Sequence, residues 1–153
     1  YYRLHLYDAA LDCYLQAAEM FRQLHSVSNL VHCLSWAGWV LHWRGEVEEA
    51  RRCFQEALRQ GMSVLTVKKL LDCLQKYSVF LWKTERSHFI PLAANVLIAQ
   101  HANTDWRIRM EANEWVKNIT DFMRQDEGQA AVNQAIAYGE RVTLGGLVYH
   151  LLQ

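Results

Sequence analysis

Leu34-Ser35-Trp36-Ala37-Gly38-Trp39-Val40-Leu41-His42-Trp43-Arg44-Gly45-Glu46-Val47-Glu48-Glu49-Ala50-Arg51-Arg52-Cys53-Phe54-Gln55-Glu56-Ala57 is the stretch that decides the fold. Before Gly45 it is apolar nearly all round. Leu30, Leu34, Ala37 and Leu41 form one stripe, and Trp36, Trp39, Val40 and Trp43 form another. A helix of that kind is sandwiched between neighbours. After Gly45 the pattern is one-sided: Val47, Ala50, Phe54, Ala57 and Leu58 face in, while Glu48, Glu49, Arg52, Glu56 and Arg59 form a solvated face. Gly45 fits the left-handed cap that ends a helix. Gly38, in mid-helix, costs about 1 kcal/mol against alanine, so a close helix crossing is expected there. A two-sided helix followed by a one-sided one reads as the inner and outer layers of a superhelix.

The small residues of this stretch recur. Ala10, Tyr14 and Ala17 return 40 residues later as Ala50, Phe54 and Ala57, then weakened as Ile90, Ala94 and Leu97, then as Ala130, Gln134 and Ala137. A fixed period of this length marks stacked helical hairpins, whose curved surfaces usually bind something rather than perform chemistry. The expected helices run over about 7–25 (Asp8 as cap), 28–44, 46–60 (closed by Gly61) and 63–83. They continue over 85–101 (with Pro91 placing the start near Ser87 or Phe89), 104–124 (capped by Thr104 or Asp105), 127–138 (ended by Gly139) and 144–152 (capped by Thr143). Together they make one all-α domain over 1–153. Its repeats are 1–25 (partial), 28–61, 63–101 and 104–139, with a capping helix over 143–153. The opening Tyr1-Tyr2-Arg3 has no methionine and no cap, and Tyr2 and Arg3 match His42 and Trp43 one period on. The chain is therefore expected to be the C-terminal piece of a longer protein.

Composition excludes several functions. With 16 basic and 16 acidic residues intermixed, there is no basic stripe for nucleic acid and no basic face for a membrane surface. No apolar run is long enough to span a bilayer, and no signal-peptide pattern appears in the sequence. Cys13, Cys33, Cys53 and Cys73 fall 20 residues apart. The repeat explains that spacing as small core thiols on one side of successive helices, in a reduced, cytoplasmic protein. No zinc-spaced Cys/His set, phosphate loop or nucleophile–base pair is present. His32 and Cys33 are adjacent and so point about 100° apart on a helix. The expectation is no enzyme, no metal and no cofactor.

Leu34, Ala37, Gly38, Leu41, Gly45, Ala50, Phe54 and Ala57 make the segment resemble a tetratricopeptide repeat. It departs from that pattern in having leucine where tryptophan is usual, alanine before Gly38, no terminal proline, and a period of 40. Armadillo and HEAT units have periods of that length and are the structural alternative. The tail, Val96 to Trp106, Ala137 to Leu144 and Leu147 to Leu152, resembles the closing segment of bacterial signal-transduction NTPases of the STAND class and related transcriptional regulators. There such arrays form the C-terminal sensor. No NTPase motif is in this chain, so any nucleotide chemistry would lie upstream.

The tetratricopeptide resemblance implies a right-handed superhelix whose inner helices line a concave groove. On this chain the implied lining is His32, Ser35, Trp39, His42 and Trp43, then Asp72, Gln75, Val79, Trp82 and Lys83, then Ala112, Trp115, Ile119, Phe122 and Met123. Spacing agrees in part, since His32, Ser35, Trp39 and His42 share one helix face. A groove with aromatic anchors and a few polar groups suits a peptide or small effector. The opposing reading is that Trp39, Trp43 and Trp82 simply pack between hairpins. The expected function is a module that binds a protein, a peptide or a small effector and serves as the sensor of such a regulator. The alternative is a scaffold or adaptor that associates with itself or assembles complexes.

Overall fold

In the computed structural model the described residues are 2–64 and 67–153, with side chains described over 5–63 and 67–153. They form eight helices: α1 (Tyr2–Gln23), α2 (Val27–Trp43), α3 (Val47–Val64), α4 (Val67–Glu85), α5 (Phe89–Gln100), α6 (Trp106–Glu127), α7 (Gln129–Arg141) and α8 (Leu144–Leu151), with no strand among the described residues. The fold is all-helical, and its packing is that of helical hairpins joined by short turns. The chain divides into two compact units, residues 1–77 and 78–153. The expectation drawn from Tyr1 lies outside the described residues, as do the side chains of Tyr2 and Arg3.

In the first unit α2 packs against both α1 and α3, which is why its sequence is apolar on several sides. Leu30, Val31, Leu34, Ala37, Val40 and Leu41 are all buried. Gly38 supplies the expected close crossing: a Cβ there would meet the Phe54 ring at 3.0 Å. Ala50, Phe54 and Ala57 are sealed from solvent. Two Schellman turns end α1 and α2 alike. Ser26 N donates to Phe21 O at 2.9 Å and His25 N to Arg22 O at 3.2 Å; Glu46 N donates to Leu41 O at 2.9 Å and Gly45 N to His42 O at 3.0 Å. The left-handed residue is Gly45 in one (φ +81°) and His25 in the other (φ +56°). Gly45 thus caps as expected. Gly61 does not close α3, which runs on to Val64. It sits inside the helix, where a Cβ would meet the Leu70 side chain at 3.0 Å. Asp8 is not a cap either. It lies inside α1 and pairs with Arg44 at 3.3 Å.

In the second unit α5 plays the part of α2 and packs against both α6 and α7. It starts at Phe89, so Pro91 falls in the first turn, where a missing N–H costs no helical bond. Asp105 and Thr143 cap α6 and α8: Ile108 N donates to Asp105 Oδ1 at 2.9 Å, and Gly146 N to Thr143 Oγ1 at 3.0 Å. Leu92, Ile119, Met123, Val132 and Ala135 form the core. Gly139 does not end α7, which extends to Arg141. It lets α7 press on α5 so closely that a Cβ would lie 2.5 Å from the Ala93 carbonyl oxygen. That approach sets the rotation of α7. Val132, Ala135 and Gly139 are buried, while the echoed Ala130, Gln134 and Ala137 are exposed. The expected fourth copy of the pattern is therefore corrected: its small residues face solvent because backbone contact at Gly139 chooses the other side.

Candidate functional site

α2 presents a strip that its neighbours leave half open. His32, Trp36, Trp39 and Trp43 recur at spacings of four, three and four, the seam of a single helix face. All are partly exposed, Trp43 by 47%. The flanking α1 brings up two tyrosines. Tyr14 stacks on Trp36 with centroids 6.3 Å apart, and Tyr7 meets Trp43 at 5.5 Å. Trp39 packs edge-on against Trp43 at 5.8 Å and lies 5.4 Å from the His42 ring. Aromatic pairs at such distances contribute beyond their buried area.

α4 closes one side of the strip. Lys76 places its Nζ 4.7 Å from the centroid of Trp36, a cation–π contact. It also bonds Asp72 Oδ1 at 2.6 Å, with both side chains mostly covered (14% and 17% exposed). The cation is thereby neutralised in place. His32 sits edge-on to Trp36 at 6.5 Å. Its Nδ1 is buried without a hydrogen-bond partner among the described residues. Burial, then the charge of Lys69, pushes the imidazole below its ordinary pKa, so it is neutral at pH 7.

The second unit holds a separate aromatic cluster. Trp82 meets Trp115 at 5.5 Å and Phe122 at 5.6 Å, both edge to face, and Lys83 Nζ lies 5.7 Å from the Trp115 ring. Trp82 Nε1 donates to His88 Nδ1 at 2.9 Å, and His88 Nε2 lies 2.8 Å from Asp126 Oδ2. An indole nitrogen can only donate. Nδ1 is therefore bare, and Nε2 carries the proton that goes to Asp126.

Of the residues expected in the groove, His32, Trp39, His42 and Trp43 lie along α2 as described, and Asp72 borders the strip through Lys76. Ser35 turns inward. It is buried and its hydroxyl donates to Val31 O at 2.7 Å. Gln75 and Val79 are also buried. Trp82, Lys83 and Trp115 come together in the second unit, whereas Ala112, Ile119 and Met123 are core and only Phe122 beside them is exposed. Sequence reasoning missed Trp36, Tyr7, Tyr14 and Lys76 as members of the strip, and His88 and Asp126 as the partners that hold Trp82. The heptad-like spacing of His32, Trp36, Trp39 and Trp43 was the available signal for the first of these.

The cysteines do not share one environment as their spacing suggested. Cys33 and Cys73 are buried, Cys53 is half-buried, and Cys13 is exposed on α1. Burial pushes the thiol of Cys73 up to about 12 and that of Cys53 up to about 11, which keeps both inert. Among the described residues no three His, Cys, Asp or Glu come together as a metal site, and no helix is long and apolar enough to cross a membrane. Comparison of the chain with protein-family models, with curated proteins and with solved structures finds no match in any of the three.

Proposed function

We propose that the chain is a binding module of tetratricopeptide type that takes a protein, a peptide or a small effector on the α2 strip and performs no reaction of its own. The observation that carries this reading is the half-open line of Trp36, Trp39 and Trp43, backed by Tyr7 and Tyr14. Large rings that make mutual contacts yet stay partly exposed are the usual anchors of an interface. The resemblance of the tail to bacterial STAND-class regulators supports placing the module as a sensor, whose occupancy would bias a switch elsewhere in a longer protein. The test is to immobilise the full chain, pan it against a random peptide library and measure the selected peptides in solution. Trp43→Ala should weaken their binding at least about ten-fold with the helical circular dichroism unchanged. Loss of the helical signal instead would make Trp43 a core residue and end the proposal.

A second reading, a self-associating scaffold, is favoured by α1. Leu6, Cys13 and Met20 lie on one side of that helix and Leu24 just past its end, all exposed, Met20 by 58% and Leu24 by 68%. Sedimentation velocity over a wide concentration range decides it. A monomer at every concentration rules out self-association through this face.

A further inference from the structure

The binding-module reading leaves the chemistry of the ligand open, and the inference drawn here rests on that reading. Tyr7 and Tyr14 lie seven residues apart on α1, and Trp36 and Trp43 seven apart on α2. Each helix thus returns a ring to the same side after about 10.5 Å of rise. The pairs Tyr7–Trp43 and Tyr14–Trp36 make two aromatic ridges across the strip. A polyproline II ligand brings a side chain back to one line every three residues, about 9.3 Å. An α-helical ligand does so over two turns, about 10.8 Å, and an extended strand every two residues, about 6.7 Å. Ridge spacing suits the first two and not the third.

Hydrogen bonding separates the first two. The indole N–H groups of Trp36, Trp39 and Trp43 and the hydroxyls of Tyr7 and Tyr14 have no hydrogen-bond partner among the described residues, where their interactions are with rings and with Lys76. The strip therefore offers more donors than acceptors. An α-helix spends its carbonyls on its own bonds. A polyproline II helix has no internal hydrogen bonds and presents every carbonyl outward, and proline has no N–H in need of an acceptor. Charge does not oppose this complement, because Lys76, the cation seated on the Trp36 ring, is already bonded to Asp72 at 2.6 Å. We infer that the α1–α2 strip docks an uncharged, proline-rich peptide in the polyproline II conformation, with proline rings seated against the two ridges and carbonyls on the indole N–H groups.

The test titrates the full chain with decaproline, followed by tryptophan emission and calorimetry. Saturable binding is expected, weakened at least about ten-fold in Trp43→Ala. Tyr7→Phe and Trp39→Phe remove a donor and keep a ring, and should each weaken it about three- to ten-fold. Should Trp43→Ala unfold, these two ring-keeping variants decide. Decaproline binding that none of the variants alters overturns the inference. So does an absence of decaproline binding when the peptide library yields charged or helical sequences, a result that leaves the binding module standing. A chain that takes neither decaproline nor any library peptide loses both.

Discussion

α3 and α7 occupy matching places in the 40-residue echo and use them differently. In α3 the positions Ala50, Phe54 and Ala57 are sealed from solvent, while in α7 the counterparts Ala130, Gln134 and Ala137 look outward and Val132, Ala135 and Gly139 are buried. The two glycines at the crossings explain the contrast. Gly38 meets a side chain, the Phe54 ring at 3.0 Å, whereas Gly139 meets backbone, the Ala93 carbonyl at 2.5 Å. A ring can shift by a few tenths of an ångström and a helix backbone cannot. The lesson is that a repeated pattern fixes helix rotation only while side chains make the contact. Where two backbones touch, the glycine decides.

The largest break of this comparison should come from the echoed ring itself. Phe54→Ala is expected to cost about 3–5 kcal/mol, and Gln134→Ala at the matching place less than about 0.5 kcal/mol. Equal losses in urea unfolding would mean the two helices share a register after all. Next are the glycines. Gly139→Ala should cost about 1–3 kcal/mol through overpacking. Gly38→Ala should come out near zero, because relief of the ~1 kcal/mol propensity penalty offsets a small displacement of Phe54. An effect smaller than that of Gly139→Ala, and of opposite sign, is expected where the left-handed conformation falls on a residue other than glycine. His25→Gly in the first unit and Arg86→Gly in the second, at φ +56° and +54°, should each stabilise by about 1 kcal/mol.

The last effect is one of pH and belongs to the first unit. The folded His32 binds its proton less tightly than the unfolded chain, whose imidazole titrates near 6.5. Between the lowered folded pKa and 6.5 the unfolded state holds more protons, so stability is full above that window and declines as the pH falls through it. The urea midpoint of the parent protein should therefore drop on acidification more than that of His32→Gln. Parallel pH profiles would show that His32 is not desolvated.

The helices and their order were legible because periodicity and punctuation agree. Gly45 caps, Asp105 and Thr143 cap, and Pro91 marks a first turn. Gly61 and Gly139 misled because a glycine beside a helix end reads as a stop, while in both places it is a point of close approach inside the helix. The strip was half legible. His32, Trp39, His42 and Trp43 were singled out, yet the face turns toward Trp36 and away from Ser35. Which flank of a nearly all-apolar helix stays open depends on where α1 and α4 lie, and nothing within α2 records that. Lys76 over Trp36 and Asp126 behind His88 join residues 40 and 38 apart in the chain, beyond the reach of local spacing.

The short strap from Trp82 through His88 to Asp126 also supplies a clock. The His88 side chain is only 11% exposed, and the Trp82 indole proton is given to it directly. That proton leaves for heavy water once its bond to His88 breaks. Its exchange rate, followed as one indole resonance by NMR, times the release of this strap in the unmodified protein, with no dye and no substitution to disturb it.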